Sequence, residues 1–179
     1  VVYKFRLEEL DSLIKDLIKD SNEIEHSGRT VIEHLIGTYN ILDSWNCNDD
    51  VKLAGALHNA YGTEKFKFHK SHATQRNVLK EKVGVQAEFL VFIFSKLIWS
   101  LFIEGPPETE LKNYSRYFSG VELVSYEEFS GVILIFFANI IEQIAVIPSN
   151  KKKYFMLLAE RYKLFLSVER LELILIALR

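Results

Sequence analysis

The chain has 179 residues, of which 49% are hydrophobic and 26% charged, a balance that fits one globular domain and excludes a chain disordered throughout. Its 22 basic and 24 acidic residues leave a net charge of -2, without the excess of positive charge that a nucleic-acid binder uses against phosphates. A single cysteine excludes an intramolecular disulfide and a cysteine-rich zinc module, and only 8 glycines and 3 prolines interrupt the chain, which favours helices.

Leu7, Leu10, Leu13, Ile14, Leu17 and Ile18 recur at helical spacing and predict a first amphipathic helix. The charges between those apolar residues do not make a signal peptide, so a cytoplasmic protein is expected. The polar stretch 21–29 breaks the helix. Thr30 with Glu33 then forms a capping-box pattern that opens a second helix to about Ser44. Asn48, Asp49 and Asp50 cap a third, through Leu57. Residues 61–74 read as a loop, and 75–82 as a fourth helix. After Gly84 one long helix is expected to Ile103, ended by Gly105, Pro106 and Pro107. The stretch 108–124 has no clear period and could hold a short hairpin. Ser125 and Glu128 form a second capping box, opening a helix to about Val146. Pro148 stops it. Asn150 caps a helix to about Leu166, and Ser167 caps a last one to Arg179.

The segments Phe89–Ile103 and Gly131–Ile147 are strongly apolar, but Lys96 interrupts the first, and Asn139, Glu142 and Gln143 interrupt the second. They predict buried core helices rather than membrane spans. No linker or repeat divides the chain. The expected fold is all-α: a single-domain helical bundle over residues 1–179, with seven to nine helices.

Three segments carry polar residues that could meet in such a bundle. His34 lies mid-way along the second helix, and His58-Asn59 ends the third. Asn139, Glu142 and Gln143 share one face of the long apolar helix by their spacing. Three polar groups on an otherwise apolar helix want a partner or a cavity. The plain alternative is a buried hydrogen-bonded network of histidines and amides.

The ordered segments Glu33-His34-Leu35, Leu53 to Asn59 and Phe136 to Ile141 resemble the HD-domain superfamily of helical, metal-dependent phosphohydrolases. With Arg76 and the run Val83–Val91, the pattern is most similar to the RelA/SpoT-type branch. It covers about 30–145, leaving 150–179 as C-terminal helices. Asn59 and Asn139 stand where that family places metal-binding Asp, which marks a divergent group. The resemblance implies a site in which His34 and His58, joined by His26, hold a divalent transition metal (Fe, Mn or Zn). His-rich sites suit such ions better than Mg²⁺. It further implies that Glu64 or Glu142 moves protons, and that Arg76, Tyr61, Thr63, Asn59, Asn139 and Gln143 contact a small anionic substrate. On residue types alone, His26, His69 and His72 read first as exposed loop residues. Cys47 lacks a visible activating base, and Lys151-Lys152-Lys153 reads as a solvated helix start.

Two functions therefore stay open. One is a metal-dependent hydrolase or oxygenase acting on a small anion. The other is a non-catalytic ligand-binding or protein-interaction domain, with C-terminal apolar surfaces that could pair two copies. Neither reading calls for nucleic acid or a membrane.

Overall fold

Apolar periodicity and two capping boxes set most of the helices. The structure is a computed structural model that describes residues 7–17, 25–26, 29–62, 72–105, 109 and 111–179. Among these, the α-helices are α1 (Leu7–Leu17), α2 (Val31–Ser44), α3 (Asp49–Ala56), α4 (His72–Val83), α5 (Val85–Ser95), α6 (Trp99–Glu104), α7 (Tyr126–Glu142), α8 (Ser149–Arg161) and α9 (Val168–Ala177). Among the described residues the only sheet is a two-rung ladder just before α2, β1 (Glu25–His26) paired antiparallel with β2 (Arg29–Thr30). The fold is all-α, as the sequence predicts. No helix among the described residues is long and apolar enough to cross a membrane.

Both capping boxes form. The Thr30 hydroxyl accepts from the Glu33 N–H while Glu33 accepts from the Thr30 N–H, and Ser125 and Glu128 do the same for α7. Asn48 accepts from the Val51 N–H at the start of α3. Ser167 accepts from the Arg170 N–H at the start of α9.

Helix α7 is buried at Phe129 and then without interruption from Gly131 to Ala138. A helix that is apolar all round belongs in the centre of a bundle. α2 and α3 pack against it and against each other, and α5 closes the other side of α3. Gly55 permits the close crossing of α2 and α3: a Cβ there would stand 2.2 Å from a Leu42 methyl. On the C-terminal side an aromatic cluster holds the bundle. Tyr162 stacks on Phe102 with centroids 4.7 Å apart and donates its hydroxyl to the Phe102 carbonyl at 2.6 Å. Arg170 of α9 donates to the Trp45 and Asn46 carbonyls in the α2–α3 turn.

Three expected elements change. The long helix 84–103 is two helices, because Lys96–Ile98 leaves the helix to pair with another segment. Leu97 bridges Phe118, Ile98 donates to the Tyr117 carbonyl, and Ser119 donates to the Lys96 carbonyl. In the stretch 108–124 the described part is therefore not a hairpin on itself but a short 3₁₀ turn (Ser115–Tyr117) stitched to that break. The helices expected to end at Val146 and Leu166 end at Glu142 and Arg161. Each continues as a 3₁₀ turn, Ile144–Val146 and Lys163–Phe165.

Candidate functional site

His34 comes from the second turn of α2, His58 from the turn after α3, and Asn139 from the last turns of α7. All three line one cavity of about 550 Å³, together with Asn59 and Gln143. The two imidazoles meet edge to face, with centroids 5.3 Å apart. Both are only 2% exposed, and Asn59 is 7% exposed. By contrast Ile103, Val146, Pro148, Lys151 and Tyr154, which line the same cavity, are exposed. The histidines thus form the floor and α8 with the turn before it forms the mouth. The wall between is largely aromatic, with Phe94, Trp99, Phe136 and Phe155. Phe94 touches His58 edge to face at 5.4 Å, and Phe136 packs on Trp99 at 5.8 Å.

Each floor residue is held by a partner behind it. The Nδ1 of His34 hydrogen-bonds the Glu142 carboxylate, a pair buried on both sides. A Cβ on Gly37 would stand 2.7 Å from Glu142 Cγ, so the bare backbone of Gly37 makes room for Glu142 across α2. His58 Nδ1 lies 2.7 Å from the Gly55 carbonyl. Gln143 donates to the Asn139 side-chain oxygen at 3.1 Å. Asn59 also lines the cavity, and among the described residues no hydrogen bond of its carboxamide is formed.

Two other expected site residues are placed elsewhere. Arg76 donates from Nε and Nη2 to the fully buried Glu88 at 2.6 and 3.0 Å, and its guanidinium lies over the Phe92 ring. Tyr61 donates to the same Glu88 at 2.8 Å. Neither Arg76 nor Tyr61 lines the cavity. Burial pushes the Tyr61 phenol well above its ordinary pKa, and its hydrogen bond to the Glu88 carboxylate pushes the same way. Arg76, expected as an anion hook, has committed its fork to a carboxylate of the protein itself. Glu64, Thr63 and His69 lie outside the described residues, as do the side chains of His26 and His72.

The donor set can be tested against a metal. Metal-bound histidines usually hold their second nitrogen on a carboxylate or carbonyl, and His34 and His58 both do so. A site also needs further anionic or imidazole ligands, and Asn59 and Asn139 bring only neutral amides. Among the described residues, no group of three His, Cys, Asp or Glu side chains is arranged to hold a metal ion. The described residues therefore do not fit a metal centre.

Several lining residues were not singled out by the sequence. Phe94, Trp99 and Phe155 read as core aromatics, and Lys151 as part of a solvated helix start. Gly37 offered a signal, since a glycine inside a helix with no turn to make often marks a close approach.

A family model for a domain of unknown function, DUF6817, matches residues 17–97. That span holds His34, His58 and Asn59 but stops short of Asn139 and Glu142. No curated protein and no solved structure matches the chain.

Proposed function

We propose that this chain is a non-catalytic binding domain for one small, mostly apolar molecule, held in the cavity between α2, α7 and α8. The observation that carries this reading is a deep aromatic-walled cavity whose floor is built from His34, His58 and Asn59. Ligand pockets commonly have this character: an apolar lining of several hundred Å³ with a few placed polar groups. His34, His58 and Asn139 come from three separate segments in the order of the HD-domain pattern. That order supports a divergent HD-like frame whose site has exchanged metal-binding carboxylates for amides. The metal-dependent hydrolase or oxygenase is the competing reading, supported by the orientation of the two imidazoles.

One preparation separates the two. The intact chain, purified without chelator, is subjected to elemental analysis and then titrated with small aromatic compounds while Trp fluorescence is followed. Trp99 lines the cavity and Trp45 is the other tryptophan, so a bound ring should change the signal. The expected result is sub-stoichiometric metal and saturable binding, both unaffected by chelator. One Fe, Mn or Zn per chain, lost on His34→Ala or His58→Ala, would overturn the binding-domain reading in favour of the metalloenzyme.

A further inference from the structure

The fold commits the polar side chains around the cavity unevenly. His34 meets Glu142, His58 meets the Gly55 carbonyl, and Asn139 accepts from Gln143. Asn59 is only 7% exposed, yet no hydrogen bond of its carboxamide is formed among the described residues. Its main chain is held: the Asn59 carbonyl accepts from the Gly62 N–H at 2.9 Å, where Gly62 turns with φ 73°. The side chain is left uncommitted.

Nor is that carboxamide sealed in. Among the described residues that are not exposed, Ser130 Oγ is the side-chain polar atom that is both without a partner and closed to solvent. The oxygen and nitrogen of Asn59 therefore keep some accessible surface, and Asn59 lines the cavity. A deeply buried polar group without a partner is costly and wants an explanation, since an apolar side chain of the same shape avoids the cost.

A carboxamide carries an acceptor and a donor side by side in one plane. A group that satisfies both at once carries a donor beside an acceptor in the same way, as the edge of a primary amide or a lactam does. A ketone or a carboxylate only accepts, and leaves the Asn59 oxygen desolvated without a donor. The wall of Phe94, Trp99, Phe136 and Phe155 suits a flat apolar body behind that edge.

We propose that Asn59 is the anchor of the cavity and selects a flat, apolar molecule bearing an amide-like edge, a donor beside an acceptor. The inference rests on the ligand-binding reading above and narrows it to a ligand class.

The test uses four probes on one ring system, each titrated calorimetrically into the intact chain. Naphthalene carboxamide donates and accepts; acetylnaphthalene has nearly the same shape and only accepts; isopropenylnaphthalene does neither; naphthol offers a single hydroxyl. The carboxamide should bind tightest, at least about fivefold tighter than acetylnaphthalene, the equivalent of the one hydrogen bond by which they differ. A smaller margin, or tighter binding of any other probe, overturns the amide preference but leaves the binding domain standing. Binding of none removes both. A second arm uses Asn59→Leu, which keeps the approximate shape and removes the hydrogen bonds. The margin of the carboxamide over acetylnaphthalene should then shrink to within about twofold, while isopropenylnaphthalene binds at least as tightly as before. Full retention of the margin, or equal weakening of all four probes, would overturn the role given to Asn59. If that variant does not fold, Asn59→Ala should give the same narrowing, with the same results counting against it.

Discussion

Glu88 is the residue on which one end of the bundle turns. It is fully buried in α5, and a carboxylate in that position is tolerable only when its oxygens are hydrogen-bonded. Arg76, Tyr61 and, at 3.9 Å, Lys80 supply the partners. α4 is polar and has little apolar surface to bury, so this carboxylate is a principal tie between α4 and α5. Removing one partner strands the charge. Arg76→Ala should therefore cost about 3 kcal/mol of folding stability, measured by urea denaturation, with Arg76→Lys recovering only part of it. A loss below about 0.5 kcal/mol would show that Glu88 is satisfied without Arg76.

Tyr61 adds a pH signature. Its folded-state pKa is raised by burial and by Glu88, so the unfolded chain releases the phenolic proton first as pH rises. The contribution is complete below about pH 10, the ordinary phenol value, and is lost progressively above it. In Tyr61→Phe that alkaline loss should be smaller, read from denaturation midpoints against pH. Cys47 gives a simpler check. Its thiol is buried, and burial raises its pKa, so little thiolate is present at neutral pH. A thiol reagent should label it only as fast as the chain unfolds; rapid labelling of the native protein would contradict its burial.

Residue roles were only partly legible. The polar face of Asn139, Glu142 and Gln143 stood out because amides and an acid interrupt an apolar helix. That Glu142 turns to His34 depends on the crossing of α2 and α7, which no local pattern encodes, whereas Gln143 bonds Asn139 one turn back along its own segment. The pairing of Arg76 with Glu88 was illegible for the same reason. A guanidinium that suits a substrate anion suits a buried glutamate equally, and the choice is made by how α4 crosses α5.

At the scale of elements, local chemistry was the most readable. Thr30 with Glu33, Ser125 with Glu128, Asn48 and Ser167 all cap as their types predict, since a cap needs only neighbours in sequence. α7 depends on its cap because it is the central helix. Ser125→Ala should cost about 1 kcal/mol, measured by thermal or urea denaturation, and Ser125→Asp should cost much less. The break between α5 and α6 was illegible. Lys96, Leu97 and Ile98 are compatible with a continuing helix, and their partners Tyr117, Phe118 and Ser119 lie in the stretch with the weakest local pattern. The tertiary bridge outweighed helical propensity there. It also carries Trp99 to the cavity wall, so the break shapes the site.

For the whole molecule, composition and periodicity were sufficient for the all-α architecture, and the long apolar segments became α5 and α7 in the core. The cavity was half legible. Its polar floor was expected from the resemblance that orders His34, His58 and Asn139, whereas its aromatic wall looked like ordinary core. On the ligand-binding proposal, a molecule that fills this cavity must stabilise the folded chain by mass action. The most direct measurement is urea denaturation with and without naphthol, on the intact chain and on Ile140→Trp, which fills the cavity from the α7 wall. At a free concentration of about 100 Kd, the unmodified chain should gain about 2.7 kcal/mol, while Ile140→Trp should fold but gain almost nothing. No gain in the unmodified chain, or an equal gain in the filled variant, would contradict a ligand site between α2, α7 and α8.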